Sequence, residues 1–351
     1  MGIIFDGISK IFPDGTAALH GLDLEFDTGE FIVLLGPSGS GKTTACRVLA
    51  GLEQPTGGRI LVDGRDITDL PPRLRGMGMV FQNYALYSHK NVYENIAYPL
   101  RVRKRPATEV DAGVRKMADL LQIERYLGRK PSQLSGGQAQ RVAVARALVW
   151  QPDICLMDEP LSNLDALLRL HMRTELKRLH RELKKTFVFV THDQEEAMTL
   201  ATRVAVLRDG KLVQFDEPRT IYRRPANRFV AEFMGRPAMN TFEGRVAGCV
   251  FEAVGLSFAA PDIADGPVVL GIRPEQVELV DESAANTIAA TIDVVELVEP
   301  DILIFARCGS FTIIVRTPND DRNFAHGASL FLRFPRQALH AFDTVTGMRL
   351  P

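Results

Sequence analysis

The chain of 351 residues is short of several features that mark whole protein classes. It has only four cysteines, Cys46, Cys155, Cys249 and Cys308, and no pair of them has metal-ligand spacing. Reduced, mostly buried thiols are therefore expected, with neither a zinc site nor a disulfide framework. Net charge is nearly absent. The 42 Lys and Arg against 43 Asp and Glu leave −1, which gives no sign of a nucleic-acid or anionic-membrane surface. No run of about 18 apolar residues occurs, so no membrane-spanning helix is predicted. The opening MGIIFDGISKIF lacks a basic leader followed by a long apolar stretch, so no signal peptide is expected. Internal repeats and low-complexity tracts are missing as well.

What is present is the composition of a soluble globular protein, with 46% apolar and 24% charged residues. The length predicts two domains. EFIVLLG (Glu30–Gly36), DICLMDEP (Asp153–Pro160) and TFVFVTHD (Thr186–Asp193) are short apolar runs of the kind that make buried parallel strands. KTTACRVLAGL places Ala45, Val48, Leu49 and Leu52 on one helical face. Leu168, Met172, Leu176, Leu179 and Leu183 form a longer helical stripe. Strands alternating with helices predict an α/β core, interrupted by a helical, more polar stretch over about residues 87–149. The period changes to two beyond Gly235. In TIAATIDVVELV, Ile288, Ala290, Ile292 and Val294 share a face before the phase slips to Val295 and Leu297, which predicts a bulge. ILIFARCGSFTIIVR predicts a hairpin turning at Cys308–Ser310. Residues 1–235 and 236–351 are the expected domains, the second all β.

GPSGSGKT (Gly36–Thr43) has the form G-x-x-x-x-G-K-T between a predicted strand and a predicted helix. Glycines at that spacing let backbone N–H groups curl around the phosphates of ATP. Lys42 adds a charge, and the Thr43 hydroxyl suits Mg²⁺. Asp158 and Glu159 end an apolar strand, where ligands of parallel sheets collect. Asp158 suits the Mg²⁺ shell, and Glu159 suits a general base for the attacking water. His192 ends the next strand and is either a γ-phosphate contact or a structural histidine. Gln82, alone at a strand end, says little by itself. Phe12 either stacks on adenine or belongs to the core. A second anion-seeking helix start, LSGGQAQR, stands at 134–141, with Ser135 and two glycines ahead of a helix.

GPSGSGKT, the glutamine of VFQ, LSGGQ, ICLMDEP, SNLD and FVTHD occur in this order, and together they resemble the nucleotide-binding subunit of ABC (ATP-binding cassette) transporters. The resemblance covers about residues 1–235. It implies a P-loop NTPase cassette with a helical subdomain, using ATP and Mg²⁺. It implies that Phe12, Gly36, Pro37, Ser38, Gly39, Ser40, Gly41, Lys42, Thr43, Thr44 and Gln82 bind ATP. It makes Thr43, Gln82 and Asp158 the metal contacts, Glu159 the catalytic base and His192 the switch histidine. Asp165 becomes the D-loop aspartate. Ser135, Gly136, Gly137 and Gln138 become the signature, which meets ATP held by a second, head-to-tail chain. That arrangement accounts for two phosphate-seeking helix starts in one chain.

FMGRPAMNTFEG, LGIRPEQVEL and FPRQALHAFDTVTG are similar to the maltose-importer ATPase subfamily, whose C-terminal β domain is of the oligonucleotide/oligosaccharide-binding type. This implies an importer ATPase for a sugar, polyol or glycerol phosphate, peripheral on the cytoplasmic face of the inner membrane. Its implied partners are a second ATPase chain, two transmembrane permease subunits and, indirectly, a solute-binding protein, with no nucleic acid. Where the subfamily reads LYPHMTV, this chain has LYSHKNV, so Ser88, Lys90 and Asn91 stand at the expected membrane-partner contact. ATPases of polyamine, iron or sulfate importers have a similar plan and remain alternatives. A soluble ABC ATPase of ribosomes or DNA is disfavoured by the single cassette and by the lack of sustained heptads. An exporter is disfavoured by the β domain.

Overall fold

Buried parallel strands need helices on both faces, and the apolar runs at 30–36, 153–160 and 186–193 have them. The computed structural model describes residues 2–280, 286–319 and 324–351. Met1, where the expected first domain starts, lies outside the described residues. The chain forms two compact units, Met1–Arg219 and Thr220–Pro351.

The first unit contains β1 (Gly2–Ile11), β2 (Ala17–Asp27), β3 (Phe31–Leu35), β4 (Gly57–Val62), β5 (Arg65–Asp66), β6 (Met77–Val80), β7 (Ile154–Asp158), β8 (Thr186–Thr191), β9 (Arg203–Arg208) and β10 (Lys211–Asp216). Its helices are α1 (Lys42–Ala50), α2 (Val92–Val102), α3 (Ala107–Leu120), α4 (Gly136–Leu148), α5 (Ala166–Leu183) and α6 (Gln194–Leu200). The central sheet has the order β10-β9-β3-β8-β7-β6, parallel except for the β9–β10 edge hairpin. A second, antiparallel sheet has the order β2-β1-β4-β5.

Every residue of β3, β7 and β8 is buried, which is why these strands read as apolar runs with polar residues only at the ends of β7 and β8. α1 buries Ala45, Cys46, Val48 and Leu49 against them, while Leu52 lies beyond its end and is exposed. Gly51, at φ 76°, ends α1 in the left-handed conformation that glycine adopts most easily. The buried Arg75 guanidinium donates to Val48 O and Leu49 O, satisfying carbonyls that the last turn of α1 leaves open. The predicted α5 stripe is buried at Met172, Leu176 and Leu179 and only half-buried at Leu168 and Leu183. Helices α2, α3 and α4 account for the helical stretch expected over 87–149. Asn91 caps α2 in a reciprocal box with Glu94.

The division falls within α7 (Pro218–Arg223), and α8 (Arg228–Phe233) follows in the second unit. Its strands are β11 (Asn240–Ala247), β12 (Val250–Ala253), β13 (Leu256–Ala259), β14 (Gly266–Ile272), β15 (Glu278–Val280), β16 (Thr287–Val298), β17 (Asp301–Cys308), β18 (Phe311–Pro318), β19 (Ser329–Arg333) and β20 (His340–Phe342). They make two five-stranded sheets, β13-β12-β11-β14-β20 and β15-β19-β16-β17-β18, around an aromatic core that includes Phe242, Phe251, Phe258 and Phe334. The boundary falls ahead of Gly235 because Arg273 binds residues 220–235 to this unit. Its guanidinium donates to the carbonyls of Tyr222, Ala231 and Met234 and stacks on the Tyr222 ring.

The bulge expected in β16 is present as a register shift between Ile292 and Val294. Ile288, Ala290 and Ile292 are buried, as their phase predicts. Val294 is 48% exposed, because the shift falls before it and turns it off the buried face. The β17–β18 hairpin turns at Gly309–Ser310, between paired Cys308 and Phe311.

Candidate active site

The parallel strands aim their carboxyl ends at one region, and the residues singled out by motif gather there. Between β3 and α1 the loop Gly36–Gly41 is shaped by its glycines. A Cβ on Gly36 would stand 2.2 Å from the Leu207 carbonyl oxygen, so no larger residue fits. Gly39 and Gly41 take φ of 81° and 94°. Pro37, Ser38 and Gly39 are exposed at the lip, whereas Ser40 is buried and Thr44 half-buried. Lys42 begins α1 and turns back over the loop, donating to Gly36 O at 2.9 Å and Pro37 O at 2.8 Å. Burial pulls its pKa below the usual lysine value, opposed by the charges of Glu159 and Asp158.

One residue along α1, the Thr43 hydroxyl donates to Asp158 Oδ1 at 2.8 Å. Asp158 ends β7 and is buried, and Arg47 lies 3.9 Å from its other oxygen. Burial raises its pKa, while the Thr43 hydrogen bond and the Arg47 charge hold it down. A hydroxyl and a carboxylate in contact are hard oxygen donors, the set Mg²⁺ prefers. Among the described residues no group of three His, Cys, Asp or Glu could hold a metal by itself.

Glu159 follows with φ 44°, an uncommon conformation for a residue other than glycine. Its amide donates to Val190 O at 3.1 Å and its carbonyl accepts from the Ser162 hydroxyl at 2.9 Å, so the turn is held on both sides. Its carboxylate meets two other residues that the sequence singled out. Gln82 Nε2 lies 3.5 Å from Oε2, and His192 Nδ1 lies 3.4 Å from Oε1. Gln82 leaves β6 and His192 leaves β8, the strands on either side of β7, so sheet order alone makes the three converge. His192 is exposed and contacts a carboxylate, so it is not a buried structural histidine.

Ser135 caps α4. Its hydroxyl accepts from Gln138 N at 3.4 Å, and the Gln138 side chain accepts from Ser135 N at 3.1 Å. Ser135 and Gly136 are exposed, and Gly137 is buried where a Cβ would stand 2.3 Å from the Leu168 side chain. Among the described residues no hydrogen bond joins positions 135–138 to positions 36–44. Asp165 caps α5, accepting from Leu168 N at 2.9 Å. Phe12 is half-buried in the β1–β2 turn, outside the main apolar cluster of this unit, with Lys10 Nζ 5.1 Å from its ring centroid.

Sequence reading missed the residues that tie these loops together. Asn163 Nδ2 donates to Gln82 O at 3.1 Å, and the Ser162 hydroxyl lies 3.5 Å from Gln82 Nε2. Both stand in SNLD, and the polar pair between Glu159 and the α5 cap was the available signal. Asn91, expected at a partner contact, serves α2 as its cap.

The family model described as ABC transporter matches residues 19–162, and the one described as TOBE domain matches 270–342. The sn-glycerol-3-phosphate import ATP-binding protein UgpC of Pectobacterium atrosepticum is 44% identical over 350 residues, covering 98% of each chain. That of Salmonella typhi is 43% identical, covering 99% of each. Among solved structures, cbiO1 of Clostridium perfringens, part of the ABC transporter complex cbiONQ, is similar with a TM-score of 0.58 at 28% identity. That match covers 62% of this chain and 89% of cbiO1.

Proposed function

The chain belongs to the ABC transporter family as an ATP-binding subunit with a TOBE domain, and from that premise we propose that it powers an importer of a sugar, polyol or glycerol-phosphate-type solute. As an ATPase it converts ATP and water to ADP and phosphate. The solute class rests on the full-length likeness to UgpC proteins named for sn-glycerol-3-phosphate import.

The observation that carries the reading of the site is the convergence of Gln82 and His192 on the Glu159 carboxylate, one residue beyond the Thr43–Asp158 contact. The loop amides of residues 36–44 and Lys42 hold the phosphates, and Phe12 offers a ring for adenine. Glu159 accepts the proton of the water that attacks the γ-phosphate. His192, beside it, donates a hydrogen bond to the same phosphate. Thr43, Asp158 and Gln82 would hold Mg²⁺, which would neutralise charge growing on the phosphate oxygens. The nucleotide-binding role is assigned to the first unit and a regulatory role to the second.

The exposed Ser135–Gly136 start of α4 serves ATP bound by a second copy of the chain, with Asp165 alongside. Two permease subunits are the membrane partners, and they place the protein at the cytoplasmic face. No helix of the described residues is long and apolar enough to cross a membrane. A groove of about 500 Å³ lined by Met79, Phe81, Tyr87, Tyr98, Arg103 and Trp150 suits a permease segment, and the exposed Ser88 lies next to Tyr87.

Mg²⁺-dependent ATP hydrolysis by the purified chain tests the site. Vesicles bearing the chain with its permeases, offered labelled maltose, glycerol and sn-glycerol 3-phosphate, test the solute class. ATP-dependent uptake of one of them is expected. Uptake of a polyamine, ferric iron or sulfate in their place would move the protein to the alternative group of importers.

A further inference from the structure

We propose that Arg169 is a positioning residue for hydrolysis, one that locks the loop carrying His192 to the loop that ends in Asp165. The proposal rests on the role given to His192 above.

Arg169 sits in the first turn of α5, its amide hydrogen-bonded to Asp165 O at 2.9 Å. Its side chain, 30% exposed, reaches three places at once. Nη2 donates to the carbonyl of Leu164, the residue before Asp165, at 3.1 Å. Nη1 donates to Asp193 Oδ2, on the residue after His192, at 3.3 Å. Nε lies 3.8 Å from Glu196 Oε1, an ion-pair distance without a hydrogen bond. A planar guanidinium with donors fixed in a fork can bridge two loops in this way, whereas a lysine ammonium cannot span both.

The far side of the bridge is built to be rigid. Asp193 caps α6, accepting from Glu195 N at 2.9 Å. Its own amide donates to the Thr191 hydroxyl at 2.9 Å, and that hydroxyl donates to buried Glu196. Burial raises the pKa of Glu196, while the Thr191 hydrogen bond and the Arg169 and Arg173 charges hold it down. Two buried carboxylates, Asp193 and Glu196, thus both lie against the Arg169 cation behind the exposed His192, and the Arg173 charge also acts on Glu196. Removing a partner from such a cluster leaves charge uncompensated.

The near side is equally connected. Asn163 of the same loop donates to Gln82 O, and a Cβ on signature residue Gly136 would lie 3.6 Å from Leu164 Cδ2. The guanidinium therefore sits where a displacement of either loop changes the distance from His192 to Glu159, now 3.4 Å. A shift of about 1 Å in a catalytic group costs roughly 10²-fold.

The test is a double-mutant cycle on ATP hydrolysis by the full chain. Arg169→Met should lower kcat by about 10- to 100-fold and leave KM for ATP within about twofold. Arg169→Lys should recover part of the loss, because it keeps the Asp193 ion pair. In a His192→Ala background, itself much slower, Arg169→Met should add little. If His192→Ala is slow and Arg169→Met costs the same factor in both backgrounds, Arg169 does not act through His192 and the proposal falls. If His192→Ala hydrolyses normally, the reading of His192 falls first and takes the proposal with it. Should Arg169→Met fail to fold, Asp193→Asn, which weakens the same bridge from its other end and keeps the helix cap, is held to the same criteria.

Discussion

The Thr43 hydroxyl and the Asp158 carboxylate are hydrogen-bonded across 2.8 Å, although 115 residues separate them in the chain. One begins α1 and the other ends β7, so the helix packs with its start against the end of the strand. Asp158 keeps its carboxylate in a buried place at a cost that its raised pKa records. The expected use of that cost is a cation. Asp158→Asn preserves an acceptor for Thr43 and removes the buried charge. The variant should match or exceed the parent's Tm without nucleotide at neutral pH. It should also lose Mg²⁺-dependent hydrolysis by about 10²-fold or more. A variant both destabilised and active would assign Asp158 to structure alone.

His340 supplies a pH prediction for the second unit. It is buried on β20, and burial, with the charges of Arg349 and Arg273, pulls its pKa down to about 4. The ordinary histidine value is about 6.5. Between these values the unfolded chain takes up a proton that the folded unit refuses, so stability falls as pH drops from about 6.5 to about 4 and levels off below. Thermal unfolding of the chain across this range should show the decline, and His340→Gln should flatten it. An equal slope in the variant would point to other groups.

The signature makes its own prediction. Lys42→Ala damages the phosphate loop and Ser135→Arg blocks the exposed start of α4. Neither variant alone should form an ATP-dependent dimer. Mixed, they give one site with two lesions and one intact site, so differently labelled chains should associate in part when ATP is added. No recovery at high protein concentration would place the signature on its own chain's nucleotide.

Much of this was legible in sequence because local chemistry and fold agreed. Gly36, Gly39 and Gly41 are glycines for reasons that the loop geometry confirms: a carbonyl 2.2 Å from where a Cβ would stand, and positive φ at the other two. The strands β3, β7 and β8 were plain because burial on both faces leaves polar residues only at their ends, Asp158, Thr186 and Thr191. Other features depend on long-range contacts that a linear pattern does not record. Arg169 looks like any solvated helix residue until Asp193 and Leu164 are brought beside it. Val294 was placed on the wrong face because a phase slip can be counted from either side, and only pairing with β17 fixes it before Val294. Residues 220–235 read as the tail of the first domain, yet they pack with Arg273, a contact more than thirty residues away in sequence.

The central claim is that Glu159 takes the proton from the attacking water, and Glu159→Gln tests it most directly. Glutamine keeps the size of the side chain and the partners Gln82 and His192, but it has no basic carboxylate. ATP binding and turnover should be measured together on the full chain. The account predicts unchanged ATP affinity, a loss of hydrolysis of about 10²–10⁴-fold, and accumulation of an ATP-bound dimer. Hydrolysis within a few-fold of the parent would contradict it.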